Sequence, residues 1–249
     1  MQFWFPWNHS ARSTNKPQVK VCGVTTPEDA LYAAQNGADF IGMILWPNAK
    51  RSIAVDVAKE VAAAAREGGA TPVGVFVDEN FDEVIEVCGS VGIDHAQLHG
   101  DDARAALSGL PSSLKVIYVM NADSEGTLVT SRPGEDELEA AGNRLQGATG
   151  WRKASDWVSS GRRTVDYLLI DGMKPGSGEA FDWSKLKVPR GASRRGWILA
   201  GGLTPDNVAE ATKILHPDVV DVSSGVTDAS GTKKDPAKVK AFIEAVRGV

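Results

Sequence analysis

The sequence predicts an α/β protein of the (β/α)8 class, a TIM barrel, on three observations. Short β-branched runs recur eight times, stretches with apolar residues at helical spacing lie between most of them, and 249 residues is a length that suits eight such units. Strand and helix in alternation imply a parallel sheet, because parallel neighbours need a crossover between them. An open doubly wound sheet is the alternative topology for the same alternation.

The elements follow in order. QVKVCG (18 to 23) gives way to a Thr-Thr-Pro turn and the helical pattern PEDALYAAQNG, with Thr26 as cap before Pro27 and Gly37 as stop. DFIGMIL (39 to 45) precedes VDVAKEVAAAAREGG, which stops at Gly68. PVGVFVD (72 to 78) leads to FDEVIEVCGSVG, and DHAQLH (94 to 99) leads to DARAALSGL. LKVIYVM (114 to 120) is the fifth strand, and residues 121 to 164 then separate it from the sixth by more than one helix needs. Within that segment KASDWVSS reads as a short helix after an extended surface loop. DYLLID (166 to 171), GWILAGG (196 to 202) and DVVDVSS (218 to 224) complete the eight. The last two are followed by PDNVAEATKIL, with Thr204 as cap before Pro205, and by DPAKVKAFIEAVRGV.

Residues 18–249 are therefore expected to form a single barrel domain, with residues 1–17 as an N-terminal tail. The tail carries Phe3, Trp4, Phe5 and Trp7, then Ser, Thr, Arg and Lys, and no acid. It lacks the layout of a secretory signal and reads either as a disordered tail or as the remnant of an organelle transit segment. No 18-residue apolar run is present, so no membrane span is expected. The net charge of −5, without a long run of one sign, argues against a nucleic-acid surface and leaves a small molecule as the expected partner. Two cysteines, Cys22 and Cys88, and four histidines give neither a disulfide framework nor a metal-ligand spacing, which fits a reducing compartment.

Barrel active sites form where strands end, so the residues at those ends carry the functional reading. Strands seven and eight end in Gly201 and Gly202 and in Asp221, Ser223, Ser224 and Gly225. Two glycine-bearing loops side by side let backbone N–H groups approach an anion, which points to a phosphorylated ligand. Cys22 ends the first strand and Asp171 the sixth, three strands apart around an eight-membered ring, so a base and an acid flank one bound molecule. Alternation puts Lys20 on the inward face one layer below Cys22. It is either a buried ion-pair partner or a cation that draws the thiol toward neutrality. Asp171 is a helix cap or ion-pair acid unless burial raises its pKa. Arg51, in the loop after the second strand, offers a bidentate clamp for a carboxylate. His99 is either a packed or capping histidine or a substrate contact.

VKVCGVTT, GADFIGMILWPNAKRSI, VGVFVDE, AQLHGDD, LLIDGMKPGSGEAFDW, LAGGLTPDNV and DVSSGVTDASGTKKD occur in the order in which the phosphoribosylanthranilate isomerase family shows them. The chain resembles that family over residues 19 to 249 except the long segment after the fifth strand, and most closely its plant-type members. The resemblance implies the Amadori rearrangement of N-(5-phosphoribosyl)anthranilate in tryptophan biosynthesis, without metal or organic cofactor. It implies Asp171 as general acid at the ribose ring oxygen, Cys22 as general base at C2′ and Arg51 at the anthranilate carboxylate. His99, Gly176, Gly178, Gly201, Gly202, Asp221, Ser223, Ser224 and Gly225 would complete the substrate contacts, the last loops holding the phosphate. A plastid location is implied, with the cytoplasm as alternative, and the state is monomer or homodimer.

One position departs from the family. Pro175 precedes Gly176, Ser177 and Gly178 where the family usually has a second glycine, and proline fixes φ and removes a donor, so a stiffer loop is expected. Rival readings on the same barrel are a different phosphosugar isomerase, for which an aspartate would be expected in place of Cys22, and an aldolase using Lys20. A phosphosugar-binding barrel without turnover is the rival from another class.

Overall fold

Runs of Val, Ile and Leu bounded by turns fold as short buried strands, and the six amphipathic stretches return the chain across the outside. The computed structural model describes residues 16–123, 126–129, 165–172, 183–186, 188 and 193–249. Its strands are β1 (Gln18–Val21), β2 (Phe40–Ile44), β3 (Thr71–Phe76), β4 (His95–Leu98), β5 (Lys115–Ala122), β6 (Leu128–Val129), β7 (Tyr167–Gly172), β8 (Trp197–Leu199) and β9 (Val219–Val222). The order β4-β3-β2-β1-β9-β8-β7-β5 is closed by pairing of β4 with β5, giving a ring of eight parallel strands. The TIM barrel is thus the observed fold, and the open sheet is excluded.

β6 is the element that the sequence did not reveal. It pairs antiparallel with the upper end of β5, Ala122 opposite Leu128, across a turn in which Gly126 takes φ 72°. Two residues are too few for alternation to register. The proposed helix KASDWVSS and most of the long segment around it lie outside the described residues, as does most of the tail.

Helices α1 (Pro27–Gln35), α2 (Val55–Glu67), α3 (Phe81–Val91) and α4 (Asp101–Ala105) follow β1 to β4, and α5 (Val208–Leu215) and α6 (Pro236–Arg247) follow β8 and β9. None among the described residues is long and apolar enough to cross a membrane. Thr26 caps α1 by accepting the Asp29 N–H at 3.2 Å, as expected. Thr204 does not cap α5. The helix begins later, at Val208, because Asn207 braces the turn before it, accepting the Thr204 N–H at 2.8 Å and donating to the Gly202 carbonyl at 2.9 Å. Gly68 ends α2 with an ordinary φ of −77°, so its glycine is a matter of space: a Cβ there would lie 2.4 Å from the Ala34 methyl of α1.

Apolar side chains fill two regions, one between strands and helices and one inside the ring. The inner one holds Phe40, Val73, Ile117, Tyr167, Leu169 and Val219, with Phe40 and Tyr167 edge to face at 5.8 Å. Residues paired across a parallel ladder share a face. Lys20 pairs with both Phe40 and Asp221, and Asn121 with Asp171, so these polar groups extend the same inward columns. Lys20 is fully buried and meets Asp221 at 3.0 Å.

Removing one partner from a buried ion pair leaves an uncompensated charge, at a cost of about 3–5 kcal/mol. Lys20→Met is therefore expected to lower the urea midpoint steeply, and Lys20→Met with Asp221→Leu to recover most of the loss. A single variant that unfolds at the wild-type midpoint would show that the pair does not hold the barrel.

Candidate active site

The inward columns end in polar residues at the C-terminal rim. Cys22 follows β1 directly and stays in its ladder, its N–H donating to the Val222 carbonyl at 2.8 Å. Its sulfur lies over Gly42, where a Cβ would stand 2.7 Å from Sγ. The chain then turns at Gly23, φ 67°, where a side chain would meet the Arg51 Nε at 2.7 Å. These two glycines make room for the thiol and for the guanidinium beside it.

Asp171 lies in β7, three strands from Cys22 by way of β9 and β8, as the sequence reading expected. Its Oδ1 accepts the Gly172 N–H at 2.8 Å. Burial lifts its carboxyl from the usual 3.8 to about 7; the Gly172 bond opposes that shift, the Asp221 charge adds to it and Lys20 opposes it. At neutral pH a large part of Asp171 is therefore protonated, which is the state a general acid needs.

His99 stands next to Asp171, Nε2 to Oδ2 at 3.9 Å. It is neutral: burial, and then the Lys20 and Arg104 cations, push it from 6.5 down to about 4. Gln97 Nε2 approaches the His99 Nδ1 at 3.2 Å, while the buried His99 Nε2 has no hydrogen-bond partner and faces the site. Arg104 donates to the His99 carbonyl at 2.7 Å and pairs with Asp101. These contacts bring His99 beside Asp171 at the rim of the barrel.

Of the two readings of Lys20, the ion pair with Asp221 is observed, and the pull of Lys20 on the Cys22 thiol does not prevail. Burial raises that thiol above the usual 9.0, and although the Lys20 and Lys234 cations pull it down, Asp221 works against them. Lys20, although paired with Asp221, still pulls the thiol down through its charge and a hydrogen bond, but burial outweighs that pull. Burial works against the Lys20 charge as well, but Asp221 and Cys22 outweigh it and hold its pKa above 10.5. Lys20 is both the ion-pair residue and a neighbour of the thiol, without making that thiol acidic.

Arg51 crosses from the loop after β2 to the loop after β9, donating to Ser223 Oγ at 3.0 Å and to the Gly231 carbonyl at 3.2 Å. Its Nε is buried without a partner. Gly201 and Gly202 take successive positive φ values of 87° and 65°, and a Cβ on Gly225 would lie 2.0 Å from the Leu203 carbonyl. The two loops after β8 and β9 therefore touch, with Ser224 and Gly225 in a short 3₁₀ turn. Asp221 keeps one oxygen on Lys20 and leaves its buried Oδ1 without a partner. Gly176 and Gly178, with Pro175, lie outside the described residues.

Sequence reasoning missed Gln97, Asn121, Arg104 and Lys234. Gln97 was accessible, since alternation along HAQLH puts it on one face with His99. Asn121, buried and donating to the Gly172 carbonyl at 3.0 Å, lies in the fifth strand one residue beyond the run that was read. Lys234 sits in TKKD, which reads as a solvated charge cluster. It is nevertheless buried, donates to the Ser223 carbonyl at 2.9 Å, and is pushed by burial from 10.5 to about 8, with Cys22 opposing and Arg51 reinforcing that shift.

Comparison with known proteins bears on this arrangement. The model of the N-(5'-phosphoribosyl)anthranilate isomerase family matches residues 19–134 and 153–245. N-(5'-phosphoribosyl)anthranilate isomerase 1, chloroplastic, of Arabidopsis thaliana is 43% identical over 238 residues, covering 96% of this chain and 78% of the relative. A crystal structure of phosphoribosyl anthranilate isomerase from Thermotoga maritima superposes with TM-score 0.70 at 30% identity, over 94% of this chain and all of that one. A structure of such an isomerase in complex with reduced 1-(o-carboxyphenylamino)-1-deoxyribulose 5-phosphate superposes with TM-score 0.68 at 29% identity, over the same shares.

The His99 and Asp171 shifts have opposite consequences for stability. Between 6.5 and about 4 the folded His99 binds fewer protons than the unfolded one, so stability falls as pH falls through that range. Asp171 binds more protons folded than unfolded between 3.8 and about 7, so its contribution is intact below 3.8 and is lost as pH rises toward 7. Across about pH 4 to 6.5 the two nearly cancel. Asp171→Asn is expected to unmask the histidine, so that denaturant titrations lose on the order of 3 kcal/mol relative to wild type on acidification from 6.5 to 4. Parallel stability curves for the two proteins would contradict the assignment.

Proposed function

The chain belongs to the N-(5'-phosphoribosyl)anthranilate isomerase family, and on that premise we propose that Cys22 and Asp171 divide the proton transfers of its reaction. The protein is an isomerase of tryptophan biosynthesis that converts N-(5-phosphoribosyl)anthranilate into 1-(2-carboxyphenylamino)-1-deoxyribulose 5-phosphate. The observation that carries the division of labour is the pairing of a carboxyl titrating at about 7 with a thiol three strands away on the rim of one barrel.

Asp171, protonated, gives its proton to the ribose ring oxygen. The C1′–O bond breaks, the ring opens and the anilino nitrogen is left as an iminium. Cys22, as thiolate, removes the C2′ proton, and the electron pair of that bond forms C1′=C2′ while the iminium is discharged to an enolamine. Tautomerisation to the C2′ ketone completes an isomerisation in which nothing is oxidised or reduced overall. Arg51 holds the anthranilate carboxylate, for which its unpartnered Nε is a ready donor. The touching loops of Gly201, Gly202, Ser224 and Gly225 hold the phosphate through their backbone. His99, with its Nε2 facing Asp171, contacts the ribose. The chloroplastic location of the Arabidopsis relative supports a plastid location for this protein.

The reactive form needs the acid protonated and the base ionised, although the base has the higher pKa. It is a minor species at every pH, most populated between the two values. Accordingly kcat/KM is expected to rise with pH through about 7 and to fall at a second limb above 9.0. A profile flat from pH 6 to 8 would contradict this pairing.

The decay of phosphoribosylanthranilate fluorescence tests the roles directly. Cys22→Ala and Asp171→Asn are each expected to lose about 10² to 10⁴-fold in kcat. Near-normal turnover in either variant would remove that residue from the mechanism. Arg51→Lys is expected to raise KM, because lysine cannot reproduce the planar fork, and an unchanged KM would refute the clamp.

A further inference from the structure

We propose that the Ser223 hydroxyl is a positioning group that ties the base to the carboxylate clamp, and that it is not a ligand of the substrate phosphate. Ser223 Oγ donates to the Cys22 carbonyl at 3.0 Å and accepts from the Arg51 guanidinium at 3.0 Å. A serine hydroxyl has one proton to give. Here that proton goes to the backbone of Cys22, so only lone pairs remain, and these repel an anion. Such a hydroxyl is unsuited to the phosphate role that its neighbours Ser224 and Gly225 fill through their backbone.

The surroundings hold the hydroxyl in this state. Lys234 Nζ donates to the Ser223 carbonyl at 2.9 Å, fixing the residue from its other side, and the Lys234 N–H donates to Asp29 of α1 at 3.0 Å. Gly23 leaves the space: a Cβ there would come within 3.1 Å of Ser223 Oγ and 2.7 Å of Arg51 Nε. Three segments far apart in sequence, after β1, β2 and β9, thus meet on one oxygen. Because Arg51 and Cys22 share it, binding of the carboxylate by Arg51 bears on the backbone that carries the thiol, at the opposite end of the substrate from the phosphate.

The inference rests on the proposed roles of Cys22 and Arg51, and the experiment separates the two levels. Steady-state constants and the inhibition constant of inorganic phosphate are measured for wild type, Ser223→Ala, Ser223→Thr, Arg51→Lys and the Ser223→Ala/Arg51→Lys pair, with Cys22→Ala in parallel. Ser223→Ala is expected to lower kcat/KM by about ten- to a hundredfold, as for loss of a hydrogen bond to a charged group, with phosphate inhibition unchanged. Ser223→Thr keeps the hydroxyl and restores most of the loss. In the Arg51→Lys background the further rise in KM caused by Ser223→Ala is expected to shrink, because the shared contact is already broken. Phosphate inhibition weakened in step with kcat/KM would make Ser223 a phosphate ligand and overturn the inference. An unchanged kcat/KM in Ser223→Ala would equally overturn it. An active Cys22→Ala would refute the proposed base alone, since the coupling of Ser223 to Arg51 in KM is read independently of it.

Discussion

A lysine and an aspartate facing each other inside a ring of parallel strands impose the constraint from which the rest of the site follows. Lys20 and Asp221 sit opposite each other on adjacent strands, both almost without solvent, 3.0 Å apart. A charge in that position is tolerable only when paired, so the apolar packing below and the polar rim above meet at this level. The pair also brings one charge of each sign close to Cys22 and Asp171. Cys22, Asp171 and His99 all respond to Lys20, and the first two respond to Asp221 as well.

Burial is the larger influence on each of these groups, and it acts in one sense: it disfavours whichever form is charged. The resting site accordingly holds a neutral thiol, a neutral imidazole and a carboxyl near its midpoint at neutral pH. For acid–base work this is a workable arrangement, since the carboxyl gives up a proton readily and a thiolate, once formed in so dry a setting, recovers one strongly. Of the two readings of Lys20, ion-pair partner or cation that draws the thiol toward neutrality, the structure shows the first, and the second is present but outweighed. Lys20 does pull the Cys22 thiol down, but burial pushes it up by more, and the Asp221 charge adds to that push.

The barrel itself was legible because its code is short-range: β-branched runs, caps and glycine stops spaced so regularly that eight units could be counted. What escaped was either too brief to carry a period, as with β6, or set by tertiary contact, as with Thr204, whose turn is held by Asn207. The same division runs through the site. Cys22, Arg51 and Asp171 stand at strand ends or in a rim loop, where position alone announces them. Lys234 is an ordinary charged loop residue in the sequence, and only the folding of that loop onto Ser223 buries it. Ser223 was read as a phosphate contact by its place after β9, and the contacts of its hydroxyl with Cys22 and Arg51 come from segments far away in sequence.

The interior of this barrel keeps the Asp171 carboxyl protonated far above its ordinary range. Carbon-13 NMR of aspartate-labelled protein, with the Asp171 carboxyl resonance assigned by loss in Asp171→Asn, tests that most directly. A titration midpoint near 7 is expected. A midpoint at the ordinary 3.8 would contradict it, because Asp171 would then be ionised throughout the neutral range and have no proton to donate.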